Sequence, residues 1–150
     1  MSSSSCDDRP ARRLLGAAFT LLHDEAPLHA DLLRDALARL SLRIDAGGES
    51  IAPQLCDGKL GVTDASGTEC VAIRTSLATV LGLLDAHGTL LDAVARGALD
   101  IRGTADALDA AADAFATFLH GMVRAPSSPS LLDDLRRQVV RSDPEIRHDR

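Results

Sequence analysis

The period of the apolar residues changes repeatedly along this chain, and these changes restrict its fold more than any other feature. Up to residue 40 apolar side chains recur at helical spacing, with a break at Pro27, which predicts two helices. From residue 41 to 74 apolar and polar residues alternate, which predicts a meander of four short strands. The helical period then returns, and a further alternating stretch at 98–102 predicts a fifth strand. Helices and strands distributed in this way indicate an α+β domain.

Turn and cap residues agree with these elements. Asp57-Gly58 is a two-residue hairpin signal between the second and third strands. Pro53 lies within the second strand and has no amide hydrogen, so an edge position or a bulge is expected there. Thr89 and Thr104 each stand where a helix begins and can cap it, which predicts a short helix and a long one on either side of the fifth strand.

The composition describes a single globular domain. The chain has 150 residues, of which 45% are hydrophobic and 25% charged, enough to bury a core. The formal net charge of −6 disfavours nucleic acid and anionic membrane surfaces as partners. Aromatic content is 2%, without Trp or Tyr, which removes aromatic cages, stacking platforms and a tyrosyl acid or base. Among the basic residues Arg greatly outnumbers Lys, which fits a GC-rich bacterial genome.

Compartment and boundaries follow from the cysteines and the Pro/Ser-rich stretches. Cys6, Cys56 and Cys70 are widely spaced and suggest neither a disulfide framework nor a zinc site, so a cytoplasmic location is predicted. No stretch approaches the roughly 18 apolar residues that span a bilayer, so no stable membrane insertion is expected. We predict a disordered N-terminus at 1–10, the domain at 11–124, a hinge at 125–130 and a terminal helix and tail at 131–150.

The segment 94–108 reads Val-Ala-Arg-Gly-Ala-Leu-Asp-Ile-Arg-Gly-Thr-Ala-Asp-Ala-Leu and resembles the sterol carrier protein family. Members have a hydrophobic helix that ends in Gly, a Leu-x-Ile/Val-x-Gly strand, and a helix often introduced by Asp. The matching positions are Gly97, Leu99, Ile101 and Gly103, with Thr104 in the place of the acid. Ile73–Leu77 and Leu81–Leu84 look like the preceding strand-to-helix junction, and the resemblance extends over about 41–122. The stretch around His87-Gly88 departs from the family pattern.

The resemblance implies helices over a five-stranded, mostly antiparallel sheet, here with two extra N-terminal helices and a C-terminal helix. It further implies a hydrophobic tunnel between sheet and helices that accepts lipids. The apolar residues offered for its lining are Leu77, Val80, Leu81, Leu84, Leu99, Ile101, Phe115, Phe118 and Leu119. The alternative is that the same stripes fill a solid core.

Three functions remain open from the sequence. The first is an intracellular carrier of a lipid or other hydrophobic small molecule, without cofactor or turnover. The second is a cofactor-free enzyme, for example a cyclase of a polyketide-like chain, with His87 or His120 as general base oriented by Asp85 or Asp113. The third is a homodimeric interaction module that docks through the terminal helix at 130–141.

Other chemistry finds little support. Glycine-rich phosphate loops and a serine-nucleophile elbow are absent, so no nucleotide cofactor and no serine triad are predicted. The densest group of metal-ligand types is His23, Asp24, Glu25 and His29. Its spacing is not that of a helical zinc motif, and Pro27 interrupts the helix that would align it, so no metal site is predicted.

Overall fold

The computed structural model describes residues 10–84 and 89–142. Two helices come first, then four strands, two short helices, a fifth strand and two final helices, which is the predicted order. The elements are α1 (Pro10–Glu25), α2 (Pro27–Ala38), β1 (Leu42–Ala46), β2 (Glu49–Cys56), β3 (Lys59–Asp64), β4 (Val71–Thr75), α3 (Leu77–Leu84), α4 (Leu90–Ala95), β5 (Asp100–Arg102), α5 (Ala105–Arg124) and α6 (Ser128–Ser142).

The strands form one sheet in the order β3-β2-β1-β4-β5. Only β1 and β4 run parallel, and the other three pairings are antiparallel, which confirms the predicted architecture. Ile44 pairs with Ile51 on one side and Ile73 on the other, and Ile73 pairs with Ile101. Paired residues share a face of a sheet, so these four isoleucines form a continuous apolar row.

The hairpin turn is as predicted, but the position of Pro53 is not. Asp57 (φ +54°) and Gly58 (φ +78°) join β2 to β3 with the two positive φ angles of a type I′ turn. β2 is an interior strand, so the expected edge position for Pro53 is wrong. The pairing of β2 with β1 ends at Ile51, however, so Pro53 is paired only with Val62 of β3. Pro53 therefore lacks its amide hydrogen at a position where β1 offers no hydrogen-bond acceptor.

Helix α1 is tied to the outer hairpin by polar contacts. The Glu49 carboxylate accepts hydrogen bonds from the backbone N–H groups of Ala11 (2.8 Å) and Arg12 (3.1 Å), which caps the helix N-terminus. Further along, Arg12 Nη2 donates to the Val62 carbonyl (3.4 Å), and His23 Nε2 accepts from the Leu60 N–H (3.2 Å). The helix thus runs beside the edge strand β3.

The C-terminal boundaries differ from those predicted. α6 begins at Ser128, inside the segment 125–130 that was interpreted as a hinge, and Ala125 and Ser128 are buried. The Ser127 N–H donates to the Glu25 carboxylate (2.7 Å), which fixes the start of α6 against the end of α1. At the other end of the chain, Pro10 already belongs to α1 rather than to the predicted disordered segment, of which residues 1–9 lie outside the described part.

Candidate functional site

A cavity of about 120 Å³, partly open to solvent, lies between the sheet and the helices. Its walls come from α1, α2, α3, α5, the three strands β1, β2 and β4, and the first turns of α6. Thr75 is the one lining residue with a polar side chain, and its hydroxyl is engaged as a donor to the Ala98 carbonyl (3.1 Å). The lining residues are Ala11, Leu14, Leu15, Ala18, Phe19, Leu33, Leu37, Leu42, Ile44, Ala46, Ile51, Pro53, Ile73, Thr75, Leu77, Val80, Leu84, Ala111, Ala114, Phe115, Phe118, Met122 and Leu131.

All three phenylalanines of the chain line this cavity. Phe118 stands between the other two, with its ring centroid 6.3 Å from that of Phe19 and 6.5 Å from that of Phe115, and both pairs are edge-to-face. Such pairs add about 0.5–1.5 kcal/mol beyond the burial of their area. The aromatic rings therefore form a firm stretch of wall that joins α1 to α5.

The structure brings together five of the nine residues offered for the lining, namely Leu77, Val80, Leu84, Phe115 and Phe118. The other four do not line it. Leu99 is fully buried next to the wall, in a cluster with Val71, Ala93 and Ala111 of which only some members reach the cavity, and Ile101 packs against that cluster. Leu81 packs against the cluster that contains Ala11 and Leu135, and Leu119 is half-buried on α5 without reaching the cavity.

α1, α2 and the central strands provide a part of the wall that the sequence does not indicate. The resemblance implies that the two N-terminal helices are additions to the domain, yet they supply six lining residues besides Ala11. Their apolar stripes were visible in the sequence, but helical period shows only that a helix has a buried face and not what it faces. Those six residues are Leu14, Leu15, Ala18, Phe19, Leu33 and Leu37.

The two candidate catalytic groups that the structure describes do not line the cavity. His120 and Asp113 are exposed on α5, and neither is a lining residue. His87 and Asp85 lie outside the described residues. None of the residues that line the cavity is titratable, so the described wall offers no general acid or base to a bound molecule.

Two of the four residues of metal-ligand type at 23–29, where no metal site is predicted, make structural contacts. His23 is the acceptor for the Leu60 N–H, and Glu25 is the acceptor for the Ser127 N–H. Within residues 10–84 and 89–142, no three His, Cys, Asp or Glu side chains are grouped so that they could hold a metal ion. None of the described helices combines the length and the apolarity needed to cross a membrane.

The size of the cavity limits what it holds as it stands. An engineered apolar cavity of about 150 Å³ in another protein binds benzene or xenon, whereas pockets for drug-sized ligands measure about 300–1,000 Å³. At about 120 Å³, the present space matches a small apolar molecule or one end of a longer chain. A lipid would have to widen it.

A layer of helices over this five-stranded mixed sheet defines a sterol-carrier-like fold. Among solved structures, the chain is similar to "UbiJ-SCP2 Ubiquinone synthesis protein", with a TM-score of 0.55 at 16% identity over 76% of this chain and 93% of that one. It is also similar to a conserved protein from Thermus thermophilus described as possibly a sterol carrier protein, with a TM-score of 0.46 at 22% identity over 77% and 90% of the two chains. The likeness to the first of these two structures concerns the fold alone.

A third similarity is to the stereoselective inverting sec-alkylsulfatase Pisa1 from Pseudomonas sp., with a TM-score of 0.40 at 18% identity. It covers 51% of this chain, which spans only 13% of the length of that enzyme. No protein-family model matches the chain, and no curated protein matches it significantly.

Proposed function

We propose that this protein binds a lipid or similar hydrophobic small molecule in the cytoplasm and carries it without converting it. The observation that supports the proposal is the cavity itself, an almost wholly apolar space between the two layers of a sterol-carrier-like fold. Hydrocarbon transferred into such a space gains the free energy of leaving water and needs no polar partner inside.

The expected affinity suits a carrier. Burying about 400 Å² of apolar ligand surface at ~25 cal/mol per Å² gives roughly 10 kcal/mol. With an association cost of about 4 kcal/mol, the lower end of its range, about 6 kcal/mol remains, which corresponds to a Kd of tens of micromolar. A ligand held at this strength can be released to a second acceptor, as a carrier requires.

Helix α3 is the wall best suited to move when the cavity widens. It is composed almost entirely of apolar residues, yet only Leu77 is buried, while Val80, Leu81 and Leu84 are half-buried. It packs chiefly against α6 and to a smaller extent against α5. An element with few buried contacts opens at a lower free energy than the core around it.

The proposal is tested with two neighbouring alanines of α1. Ala18 lines the cavity and is 2% exposed, whereas Ala17 is exposed. The Leu side chain in Ala18→Leu occupies the cavity, so palmitate binding measured by calorimetry is expected to fall at least tenfold, or by about 1.4 kcal/mol. Ala17→Leu adds the same side chain outside and is expected to bind palmitate like the unaltered protein.

Circular dichroism establishes that both variants are folded. Unchanged palmitate affinity in folded Ala18→Leu would place the ligand outside the cavity and contradict the proposal. The same conclusion follows if the unaltered protein binds neither palmitate nor any other long-chain hydrocarbon.

A further inference from the structure

The N-terminal half of α6 closes one side of the apolar cavity. Leu131, in the first turn of the helix, is one of the lining residues. Leu135, one turn further on, is fully buried but does not line the cavity. The hydrogen bond from the Ser127 N–H to the Glu25 carboxylate (2.7 Å) fixes the start of the helix, so both leucines have a defined position against the wall.

Leu135 lies behind a thin part of this wall. It belongs to a buried cluster whose other members are Ala11, Ala46, Ile51 and Leu77, and all four of these line the cavity. Two of the four are alanines, whose side chains are single methyl groups. The Leu135 side chain therefore occupies the space into which the cavity would otherwise continue.

This part of the wall is an end of the cavity, because several elements begin or finish at it. β1 ends at Ala46, α3 begins at Leu77, and Ala11 lies in the first turn of α1. Leu42, at the start of β1, also lines the cavity. Since a strand rises about 3.3 Å per residue, Leu42 lies roughly 13 Å from Ala46, and a hydrocarbon chain that follows the cavity along β1 meets the Leu135 end with its tip.

We propose that Leu135 determines how long a hydrocarbon chain the cavity accepts. This inference rests on the proposed function, because it requires that the chain be bound in the cavity. It assigns the limit of chain length to α6, a helix that the sequence predicts outside the domain at 11–124.

The test measures the affinity of primary alcohols from octanol to hexadecanol by calorimetry. Each further buried methylene should strengthen binding about fourfold until the chain reaches the Leu135 end, where affinity should stop rising. Leu135→Ala removes three carbons and leaves room that its surroundings fill only in part, so affinity should go on rising for about two more methylenes. Leu135→Val removes one carbon and should extend the rise by about one methylene, which decides the matter if Leu135→Ala does not fold.

Leu132→Ala is the matched control. Among the described residues of α6, Leu132 is also buried, at 9% exposed, but it neither lines the cavity nor belongs to the cluster of Leu135. Its substitution removes the same three carbons from the same helix and should leave the limiting chain length unchanged. Circular dichroism establishes which variants are folded.

The outcomes separate this inference from the proposed function. The same limiting length in the Leu135 variants and the unaltered protein would overturn the inference and leave the carrier proposal intact. An equal change in affinity at every chain length would also overturn it, because Leu135 would then support the wall without limiting the chain. If the unaltered protein binds none of the alcohols, the proposed function fails and this inference fails with it.

Discussion

At the scale of single residues, two helical glycines show how unevenly the molecule is packed. A Cβ atom at Gly121 would lie 2.6 Å from Leu22 Cδ2 and 2.9 Å from His29 Cβ. A Cβ atom at Gly16 would meet nothing within 4 Å. At Gly121 α5 is therefore packed tightly against side chains of α1 and α2, while Gly16 on α1 has open space beside it.

We expect the same substitution to have opposite effects at these two sites. Gly121→Ala forces the neighbours apart and should lower the free energy of unfolding by about 1–3 kcal/mol. Gly16→Ala reduces the conformational freedom of the unfolded chain without causing a clash, so it should raise the free energy of unfolding by about 0.4–1 kcal/mol. Urea unfolding of the two variants measures both values. A stable Gly121→Ala protein would mean that the three helices are less tightly packed than described.

At the scale of elements, the edge strand β3 is protected by a helix. The side chains of Arg12 and His23 satisfy the Val62 carbonyl and the Leu60 N–H. Unpaired backbone groups along an edge are a template for pairing with another chain. α1 thus has two roles, since one of its faces lines the cavity and its polar side chains cover an edge.

Removing this cover should promote self-association. We expect the double variant Arg12→Ala/His23→Ala to form concentration-dependent oligomers in sedimentation velocity runs, because the freed edge of β3 can pair with a second copy. Arg39→Ala/His120→Ala is the matched control, as it removes one exposed Arg and one exposed His that do not belong to α1. Identical sedimentation of the two double variants would show that the strand needs no such cover.

The proposed movement of α3 predicts an effect on the rate at which the protein takes up palmitate. Gly82 lies within α3, and a Cβ atom there would touch nothing within 4 Å. Gly82→Ala should stiffen the helix and slow palmitate uptake in stopped-flow experiments, because the widened cavity becomes harder to reach. Gly16→Ala, which favours a helix that stays in place, should take up palmitate at the unaltered rate. Equal rates in the two variants would assign the movement to another wall.

The sequence predicts the helices and strands because caps, turns and apolar periodicity depend on residues that are close together in the chain. Thr89 and Thr104 accept hydrogen bonds from the N–H groups of Asp92 and Ala107, as expected of N-caps. The sequence predicts the start of α6 at residue 131, three residues too late, because Ser128 and Pro129 resemble hinge residues. They are equally suited to the first turn of a helix, where a proline loses no hydrogen bond.

In the whole molecule, the residues of the cavity wall are determined by which apolar faces pack against one another. The apolar period of a segment shows that it has a buried face, but not which other face it packs against. Leu99 and Phe115 follow equally convincing apolar patterns, yet only Phe115 lines the cavity. The strands that do line it are β1, β2 and β4, in the middle of the sheet, whereas the segment of Leu99 leads into the edge strand β5. Sheet order is set by pairings between distant residues, so this distinction lies beyond local sequence.

Xenon binding distinguishes a cavity that is present in the free protein from one that opens only when a ligand binds. A space of about 120 Å³ already holds a xenon atom without movement of any wall, so xenon should bind to the unaltered protein and to Gly82→Ala alike. Ala18→Leu should abolish that binding, which NMR of dissolved xenon detects. If palmitate binds and xenon does not, the room for the chain would have to be opened by the ligand itself, and the stiffness of α3 would then govern affinity as well as rate.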